Sequence, residues 1–342
     1  MHTHYCAVAL SIVFGWATAQ AASQLPSDVG TDPSALIELK DDSSRAEHFV
    51  RIVEKAKETQ EAMKKHWELI HGKKAEEPKM LYKLIGPFAF PRDADYDTTE
   101  AKPRTNSIFG IDVSHYTMPN IPLQALRQSK ITFVYAKATQ GVTHKDGKFS
   151  FFWKALDELP LGEKVHRGAY HFLTADDDAT AQAYTFLNFL AAKGGLRSTD
   201  MPPVLDLEWD KTESHPDRWK DHDPGKIIEK ALTWLRIVKE KTGRTPLLYT
   251  AQAWWRERGI PEKELFDQLS LSQYKIWIAD YSPSSRAVEI PKVSTDAPWI
   301  LWQFSENARL PLPYDQGQGV DATIFKGPES QFNLDFGLAN FQ

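Results

Sequence analysis

Cysteine is almost absent from this chain of 342 residues, in which Cys6 is the only one. Residues 1–22 contain no Asp, Glu, Lys or Arg, and the apolar run from Cys6 to Trp16 is too short to span a bilayer. Small residues typical of a cleavage site follow this run, so we predict a secretory signal peptide over 1–22. A buried N-terminal helix is the alternative, because only His2, His4 and the terminal amine supply positive charge. Without this segment the mature chain has no thiol, which excludes disulfides, cysteine catalysis and cysteine-based zinc sites.

An excess of positive charge is also missing. The formal net charge is −5 at pH 7, so no basic field is available to attract nucleic acid or anionic lipid. Hydrophobic residues make up 42% of the chain and aromatic residues 12%, which predicts one large globular domain with an appendage. From the predicted signal peptide we expect a secreted or periplasmic protein that has no transmembrane span in its mature form. From its net charge we expect that it does not bind nucleic acid.

The appendage is predicted over residues 23–106, as a helical extension followed by a linker. A helix should begin near Ser44, which forms a capping-box pattern with Glu47, and should end at Gly72. Its apolar residues recur at heptad spacing: Phe49, Val53, Ala56, Met63, Trp67 and Ile70. This stripe either docks on the main domain or pairs with another copy, so the oligomeric state stays open. A charged, proline-punctuated stretch follows, which we interpret as a linker that wraps the main domain.

The main domain, predicted over residues 107–342, alternates strand-like and helical runs. We predict eight strands: Ile108 to Val113, Ile131 to Ala138, Val165 to Phe172, Val204 to Glu208, Pro246 to Thr250, Lys275 to Tyr281, Trp299 to Phe304 and Val320 to Phe325. The clearest helical runs are Ala179 to Ala192 and Lys226 to Lys241. This order predicts an α/β fold with a parallel sheet, either closed as a barrel or open and doubly wound. No nucleotide-binding fingerprint follows the first strand, which removes the usual reason to prefer the open form.

The stretch from Pro202 to Trp209 contains two acids on one predicted strand. Side chains of a strand alternate, so Asp206 and Glu208 should share one face while Leu205 and Leu207 share the other. Two ionised carboxylates so placed repel each other, and we expect one pKa to rise, as a general acid requires. The alternative is an ordinary solvent-facing strand, but the apolar opposite face indicates a strand buried within a sheet.

Acids and aromatics recur wherever a predicted strand ends. Besides the pair at 206 and 208, these ends carry Asp112, Lys137, Tyr170, His171, Tyr249, Asp280, Tyr281, Trp302 and Gln303, and Asp321 opens the last strand. The carboxyl ends of barrel strands are where catalytic groups collect. Carboxylates beside Trp and Tyr suit a sugar, because hydroxyls need acceptors and sugar rings stack on aromatic faces.

Several of these segments together resemble the lysozymes of glycoside hydrolase family 25. They are Phe109 to Tyr116, Ala136 to Thr139, Gly168 to Phe172, Leu205 to Glu208, Trp277 to Tyr281, Trp302 to Ser305 and Val320-Asp321. The resemblance implies an irregular TIM-like β/α barrel that cleaves the β-1,4 bond between N-acetylmuramic acid and N-acetylglucosamine in peptidoglycan. It also implies that Glu208 is the catalytic acid/base and that Asp206, Asp112 and Asp321 complete the acidic site. The family often has Glu at position 140 and Asn at position 323, where this chain has Gln140 and Thr323.

The residues by themselves leave the nucleophile open. Asp206 lies on the same predicted side as Glu208, so it is poorly placed to attack from the opposite face of the sugar. It is better placed to orient the substrate's own N-acetyl group, while a protein nucleophile, Asp112 or Asp321, is the alternative. Both routes retain configuration at the anomeric carbon.

The remaining candidates form a predicted substrate-binding set: Tyr170, Tyr249, Asp280, Tyr281, Trp302 and Gln303. For the Tyr and Trp members the alternative is core packing. We expect His171 to hold a neighbour by a hydrogen bond rather than to transfer protons. No metal or organic cofactor is expected. Two other functions stay open, a peptidoglycan-binding protein without activity and a hydrolase of another N-acetylated β-1,4 glycan such as chitin.

Overall fold

The computed structural model describes residues 87–97, 102–117, 120–212, 217–282, 285–286, 289–294, 297–311 and 319–341. The predicted signal peptide and the predicted helix from Ser44 to Gly72 lie outside these residues. None of the helices in the described ranges combines the length and apolarity needed to cross a membrane.

The described residues contain eleven strands, eight of which close into a barrel. In chain order the strands are β1 (Tyr96–Asp97), β2 (Lys102–Pro103), β3 (Ser107–Val113), β4 (Ile131–Gln140), β5 (His144–Lys145), β6 (His166–Phe172), β7 (Val204–Asp206), β8 (Leu247–Ala251), β9 (Lys275–Ala279), β10 (Trp299–Ala308) and β11 (Val320–Lys326). The barrel order is β3-β11-β10-β9-β8-β7-β6-β4, and β4 pairs with β3 to close it. All neighbours are parallel except β11, which runs antiparallel to both β10 and β3. The closed form is therefore the correct one of the two predicted.

Helices cover the barrel between several strands. They are α1 (Arg92–Asp95), α2 (Phe149–Asp157), α3 (Ala179–Ala192), α4 (Pro224–Thr242), α5 (Gln252–Glu257), α6 (Glu262–Leu271) and α7 (Glu329–Phe336). The start of α4 follows from its sequence: the carboxylate of Asp223 accepts hydrogen bonds from the backbone N–H groups of Gly225 and Lys226. Gly243 ends the helix with φ 69°, a left-handed conformation that glycine adopts readily.

The strand that carries the acid pair is shorter than predicted. β7 ends at Asp206, whereas the sequence predicts a strand that continues to Glu208. Asp206 pairs with Phe172, which is the last residue of β6, so the residues after Asp206 have no partner strand on that side. The backbone N–H of Leu207 still donates to the carbonyl of Tyr249 at 3.0 Å. Glu208 therefore stands just past the strand, at its carboxyl end.

Aromatic rings fill the interior of the barrel. Tyr135 lies 5.0 Å from Trp277 and 6.1 Å from Phe133 between ring centroids. Glycines make room for two of these rings, because a Cβ atom at Gly110 or Gly168 would lie 2.2 Å from Phe133 or Tyr135 respectively. A packed interior leaves the carboxyl ends of the strands as the place for a polar site.

Residues 87–97, within the stretch predicted as a linker, pack on the barrel. Phe88 and Phe90 are buried in the same core as Phe109 and Phe304. The Phe88 ring lies 4.9 Å from that of Phe304 and 5.3 Å from that of Phe109. The backbone of this stretch also pairs with Arg309, whose N–H donates to the carbonyl of Phe88 at 2.6 Å. This segment thus contributes apolar area to the barrel core.

Replacing Phe88 by Ala should lower the free energy of unfolding of the barrel by about 3 kcal/mol, because it removes a buried ring and leaves a cavity. Chemical denaturation measures this change. Phe151→Ala is the matched control, since this Phe on α2 is 49% exposed and its loss should change stability much less. Equal effects of the two substitutions would show that the segment does not share the core.

Candidate active site

The antiparallel pairing of β3 with β11 brings two distant acids together at the mouth of the barrel. Asp112 and Asp321 are direct partners in this register, and so are Gly110 and Thr323. A Cβ atom at Gly110 would meet the Phe133 ring, so position 110 faces the interior of the barrel. Side chains two positions apart on a strand share a face, so Asp112 faces the interior as well. The carboxyl groups of Asp112 and Asp321 are hydrogen-bonded to each other. A hydrogen bond between two carboxyls requires one of them to hold a proton.

Burial at this point changes the ionisation of both acids. It raises the pKa of Asp112 to about 7, although hydrogen bonds from Gln303 and Asp321 act in the opposite direction. Burial also raises the pKa of Asp321 well above its ordinary value, and the charges of Asp112 and Glu306 add to the effect. We infer that the pair still holds a proton at neutral pH.

Gln303 connects this acid pair to two tyrosines. Its Nε2 donates to Oδ2 of Asp112 at 2.7 Å, and its Oε1 accepts hydrogen bonds from the hydroxyl groups of Tyr249, at 2.7 Å, and Tyr281. The tyrosine hydroxyls also lie 3.4 Å apart. The carboxylate oxygen of Asp112 accepts and the tyrosine hydroxyls donate, so the Gln303 amide must turn its Nε2 towards Asp112 and its Oε1 towards the tyrosines.

Asp206 and Glu208 belong to the same cluster of acids. Both are buried, and both of their charges raise the pKa of Tyr249, for which burial is the largest cause. Burial raises the pKa of Tyr170 as well, with further contributions from the charges of Asp112, Asp206, Asp146 and Asp321. Tyr170 thus lies within electrostatic reach of acids from different strands, and Tyr249 within reach of the two acids at the end of β7.

The loop that carries Glu208 is held on both sides of this residue. Before it, Leu207 donates to the carbonyl of Tyr249. After it, the buried carboxylate of Asp210 accepts a hydrogen bond from the backbone N–H of Ala175 at 2.7 Å. These anchors restrict the backbone around Glu208.

His171 holds its neighbours by hydrogen bonds, in agreement with the prediction for this residue. Its Nδ1 lies 2.7 Å from Oγ1 of Thr139 and its Nε2 lies 3.1 Å from Oε1 of Gln182. Burial lowers the pKa of His171 to about 3, so the ring stays neutral.

Two members of the predicted substrate-binding set turn away from the mouth. Trp302 is 1% exposed, and its indole N–H donates to the carbonyl of Asp280 at 2.8 Å. It neighbours Gln303 along β10, so alternation places its ring outside the barrel, in the kind of core packing given above as the alternative. The carboxylate of Asp280 accepts hydrogen bonds from Ser285 Oγ and from the backbone N–H groups of Ser282 and Lys292. It therefore holds the loop after β9 rather than facing a ligand.

Glu306 joins the acids of the mouth although the sequence gives little sign of it. Its charge raises the pKa of both Asp321 and Tyr281. Strict alternation from Gln303 would place Glu306 on the outer face of β10. The pairing of β10 with β11 shifts register twice beyond Gln303, however, and such bulges redirect side chains. A bulge is not readable from the pattern of residue types, so sequence reasoning missed this acid.

Comparison with known proteins places this architecture in a family. The family model described as Glycosyl hydrolases family 25 matches residues 111–311, which is more than half of the chain. The chain belongs to glycosyl hydrolase family 25. The matched region includes Asp112, Asp206 and Glu208, whereas Asp321 on β11 lies beyond it.

Individual relatives are similar over part of their length. The N,O-diacetylmuramidase of Arthroderma benhamiae is 33% identical over 46% of this chain and 63% of its own length. Lysozyme M1 of Streptomyces globisporus is 29% identical over 60% of this chain and 64% of its own length. The chain thus spans less than two thirds of both relatives. The crystal structure of the bacterial lysozyme from Streptomyces coelicolor matches with a TM-score of 0.56 and 25% identity, over 69% of this chain and all of that one.

The two departures from the usual residues of glycosyl hydrolase family 25 have different surroundings. Gln140 is half-buried at the end of β4, where its Oε1 accepts a hydrogen bond from Nζ of Lys137 at 2.8 Å. Thr323 is fully buried, and its hydroxyl accepts a hydrogen bond from the indole N–H of Trp277 at 3.1 Å. The first departure therefore lies at the mouth of the barrel and the second in its interior.

Among the described residues, no group of three or more His, Cys, Asp or Glu side chains is arranged to hold a metal ion.

Replacing Asp112 by Asn should stabilise the folded protein at pH 8. The raised pKa means that the folded state binds the proton of Asp112 more tightly than the unfolded state between about pH 4 and pH 7, so wild-type stability falls as pH rises through this window. Asn cannot ionise and still offers both a donor and an acceptor. The gain at pH 8 should be on the order of 2 kcal/mol and should vanish near pH 4.

Chemical denaturation at several pH values measures this difference. Asp267→Asn on the exposed face of α6 is the matched control and should follow the wild-type curve. A stability difference between Asp112→Asn and wild type that does not vary with pH would contradict the expectation.

Proposed function

We propose that this protein is a lysozyme-type glycosidase that hydrolyses the β-1,4 bond between N-acetylmuramic acid and N-acetylglucosamine in peptidoglycan. The observation that carries the proposal is the cluster of Asp112, Asp206, Glu208 and Asp321 at one end of a family 25 barrel, linked through Gln303 to two tyrosines. The names of the relatives, a muramidase and a lysozyme, support the same substrate. Peptidoglycan lies outside the cytoplasmic membrane, so we place the site of action there.

Glu208 is the general acid and base in this proposal. It is buried, it stands at the carboxyl end of β7, and the backbone on both sides of it is anchored. A carboxyl group in such a place can give its proton to the leaving oxygen and later take one from water.

Asp112 and Asp321 are poorly suited to act as nucleophiles. A nucleophilic carboxylate must be ionised, whereas this pair shares a hydrogen bond and burial favours its protonated form. We therefore assign the attack to the N-acetyl group of the muramic acid residue, oriented and electrostatically stabilised by Asp206. The protonated pair then serves as a hydrogen-bond donor to the sugar.

The reaction proceeds in two steps that together retain configuration. In the first, the carbonyl oxygen of the N-acetyl group bonds to the anomeric carbon, the bond to the leaving oxygen breaks, and the proton of Glu208 moves to that oxygen. In the second, water attacks the anomeric carbon and gives a proton to Glu208, while the oxygen of the N-acetyl group departs as an amide carbonyl.

Tyr170, Tyr249 and Tyr281 are proposed as substrate-binding side chains, together with Gln303. Tyr170 and Tyr281 are partly exposed, which leaves part of each ring available to a sugar face. Gln303 positions Asp112 by its hydrogen bond. Trp302 and Asp280 support this surface from behind.

Replacing Glu208 by Gln should reduce the release of muropeptides from purified peptidoglycan by roughly 10²–10⁴-fold, because the amide cannot transfer a proton. Binding to the sugar strands should survive, since the side chain keeps its shape. The assay is mass spectrometry of the released products together with a sedimentation assay of binding. Glu229→Gln, on the exposed surface of α4, is the matched control and should keep full activity.

The same assay separates the other two functions. Binding without release by the wild-type protein would identify a binding protein. Release from chitin but not from peptidoglycan would identify a different glycan. Near-normal hydrolysis by Glu208→Gln would refute the assignment of the acid.

Removal of the acetyl group from muramic acid should slow hydrolysis by about 100-fold or more, because the internal nucleophile is lost. De-N-acetylated glycan strands, and the same strands after chemical re-acetylation, are the two substrates to compare. Re-acetylation should restore the rate. Hydrolysis of the free-amine strands within a few-fold of the normal rate would instead favour a protein nucleophile.

A further inference from the structure

Three rings from two chain segments form one surface beside the acids of the barrel mouth. His115 and Tyr116 lie just after β3, separated from it by Ser114, and their ring centroids are 3.8 Å apart. His144 lies on β5, which pairs with the end of β4, and its ring is 6.0 Å from that of His115. Tyr116 is 48% exposed. We call His115, Tyr116 and His144 the histidine edge.

A buried carboxylate holds the histidine edge in place. Oδ2 of Asp146 accepts a hydrogen bond from the backbone N–H of His115 at 2.9 Å and lies 2.8 Å from its Nδ1. Oδ1 of Asp146 accepts from the backbone N–H of Lys148 at 2.8 Å. The carboxylate itself has no exposed surface. Asp146 therefore places the imidazole proton on Nδ1 and leaves Nε2 of His115, which is partly exposed, for a ligand.

The histidine edge borders the acid cluster. The charge of Asp146 acts on Tyr170, as do the charges of Asp112, Asp206 and Asp321. A positive charge is also present, because the charge of Lys137 acts on His144.

The ionisation of His144 reflects these neighbours. Burial lowers the pKa of His144, and the charges of Lys137 and His115 lower it further, against the opposing charge of Asp146. The neighbouring residue Lys145 does not contribute to the edge, because its Nζ lies over the ring of Phe189 at 5.6 Å. The mouth thus has an acidic centre and, on the side of β3 to β5, a border that becomes cationic when the histidines are protonated.

Peptidoglycan and neutral N-acetylated glycans differ in a group that suits this border. Muramic acid carries a lactyl ether whose carboxylate is either free or linked to a peptide with carboxylates of its own. An anion beside a cluster of acids is repelled unless a positive group faces it. When His115 is protonated, Nδ1 donates to Asp146 and Nε2 becomes a donor for a carboxylate.

We propose that the histidine edge binds a carboxylate carried by the muramic acid side chain and thereby favours peptidoglycan over neutral glycans. The proposal rests on the function proposed above, since it assigns a part of the same substrate. The carboxylate comes either from the lactyl group or from the attached peptide, and the experiment separates these sources.

The test compares three soluble preparations of glycan strands. The first keeps its peptides, the second has lost them to an amidase and exposes the lactyl carboxylates, and the third is the second after conversion of those carboxylates to methylamides. For the wild-type protein we expect kcat/KM to be about tenfold higher on the carboxylate strands than on the methylamide strands, as one charge-assisted hydrogen bond provides. This ratio should grow as the pH falls, because protonation of the histidines adds positive charge to the edge.

The double variant His115→Asn, His144→Gln should reduce this ratio to near one and remove its dependence on pH. His222→Gln is the matched control, because His222 is also partly exposed and lies 3.6 Å from a carboxylate, that of Asp176. Its ratio should equal that of the wild-type protein. A preference that survives removal of the peptides assigns the ligand to the lactyl group, and one that requires them assigns it to the peptide.

A wild-type protein that hydrolyses all three preparations equally at all pH values would overturn the proposal while leaving the proposed function intact. This arm needs no variant, so a folding defect in the double variant does not weaken it. If the wild-type protein hydrolyses none of the strands, the proposed function fails. In that case, calorimetry measures the affinity of the Glu208→Gln variant for the carboxylate strands and for the methylamide strands. The ratio of the two affinities then tests whether the histidine edge binds a carboxylate.

Discussion

The pairing of β11 with β3 is the constraint on which the site depends. This antiparallel contact joins the last strand to the first in a barrel whose other strands are parallel, and its register sets Asp321 opposite Asp112. A shift by one residue would turn one of these side chains to the outer face. Closure and the acid pair are therefore consequences of one interaction, even though the two residues lie some 200 positions apart in the chain.

The interior beneath the acids explains how such a pair is tolerated. Aromatic rings, among them Tyr135 and Trp277, fill the barrel below the mouth and exclude water from it. Burial raises the pKa values of the acids, and hydrogen bonds from Gln303 and between the carboxyls themselves satisfy the polar atoms that remain. In the proposed function, these protonated carboxyls serve as hydrogen-bond donors to the sugar. A proton held in the pair also leaves Glu208 as the better candidate for proton transfer to the leaving oxygen.

Most of the fold was predictable because barrel strands and helices carry strong local patterns. All eight predicted barrel strands are present, and α3 has the predicted bounds. Side-chain direction was less predictable, because it depends on how the strands pair. Trp302 faces outwards, and Glu306 reaches the acids only because β10 is bulged. The carboxylate of Asp280 is taken up by a loop whose path no local pattern indicates.

By itself, the sequence determined the order of strands and helices, the acids at the strand ends and the resemblance to a family of glycosidases, because these follow from residue type and spacing. Only the tertiary structure decided which acids meet, which tyrosines share Gln303, and that His115, Tyr116 and His144 form one surface over Asp146. The physical reason is that these contacts join segments far apart in the chain, and their geometry is set by sheet register, bulges and burial. None of those three quantities is encoded by the residues at the contact alone.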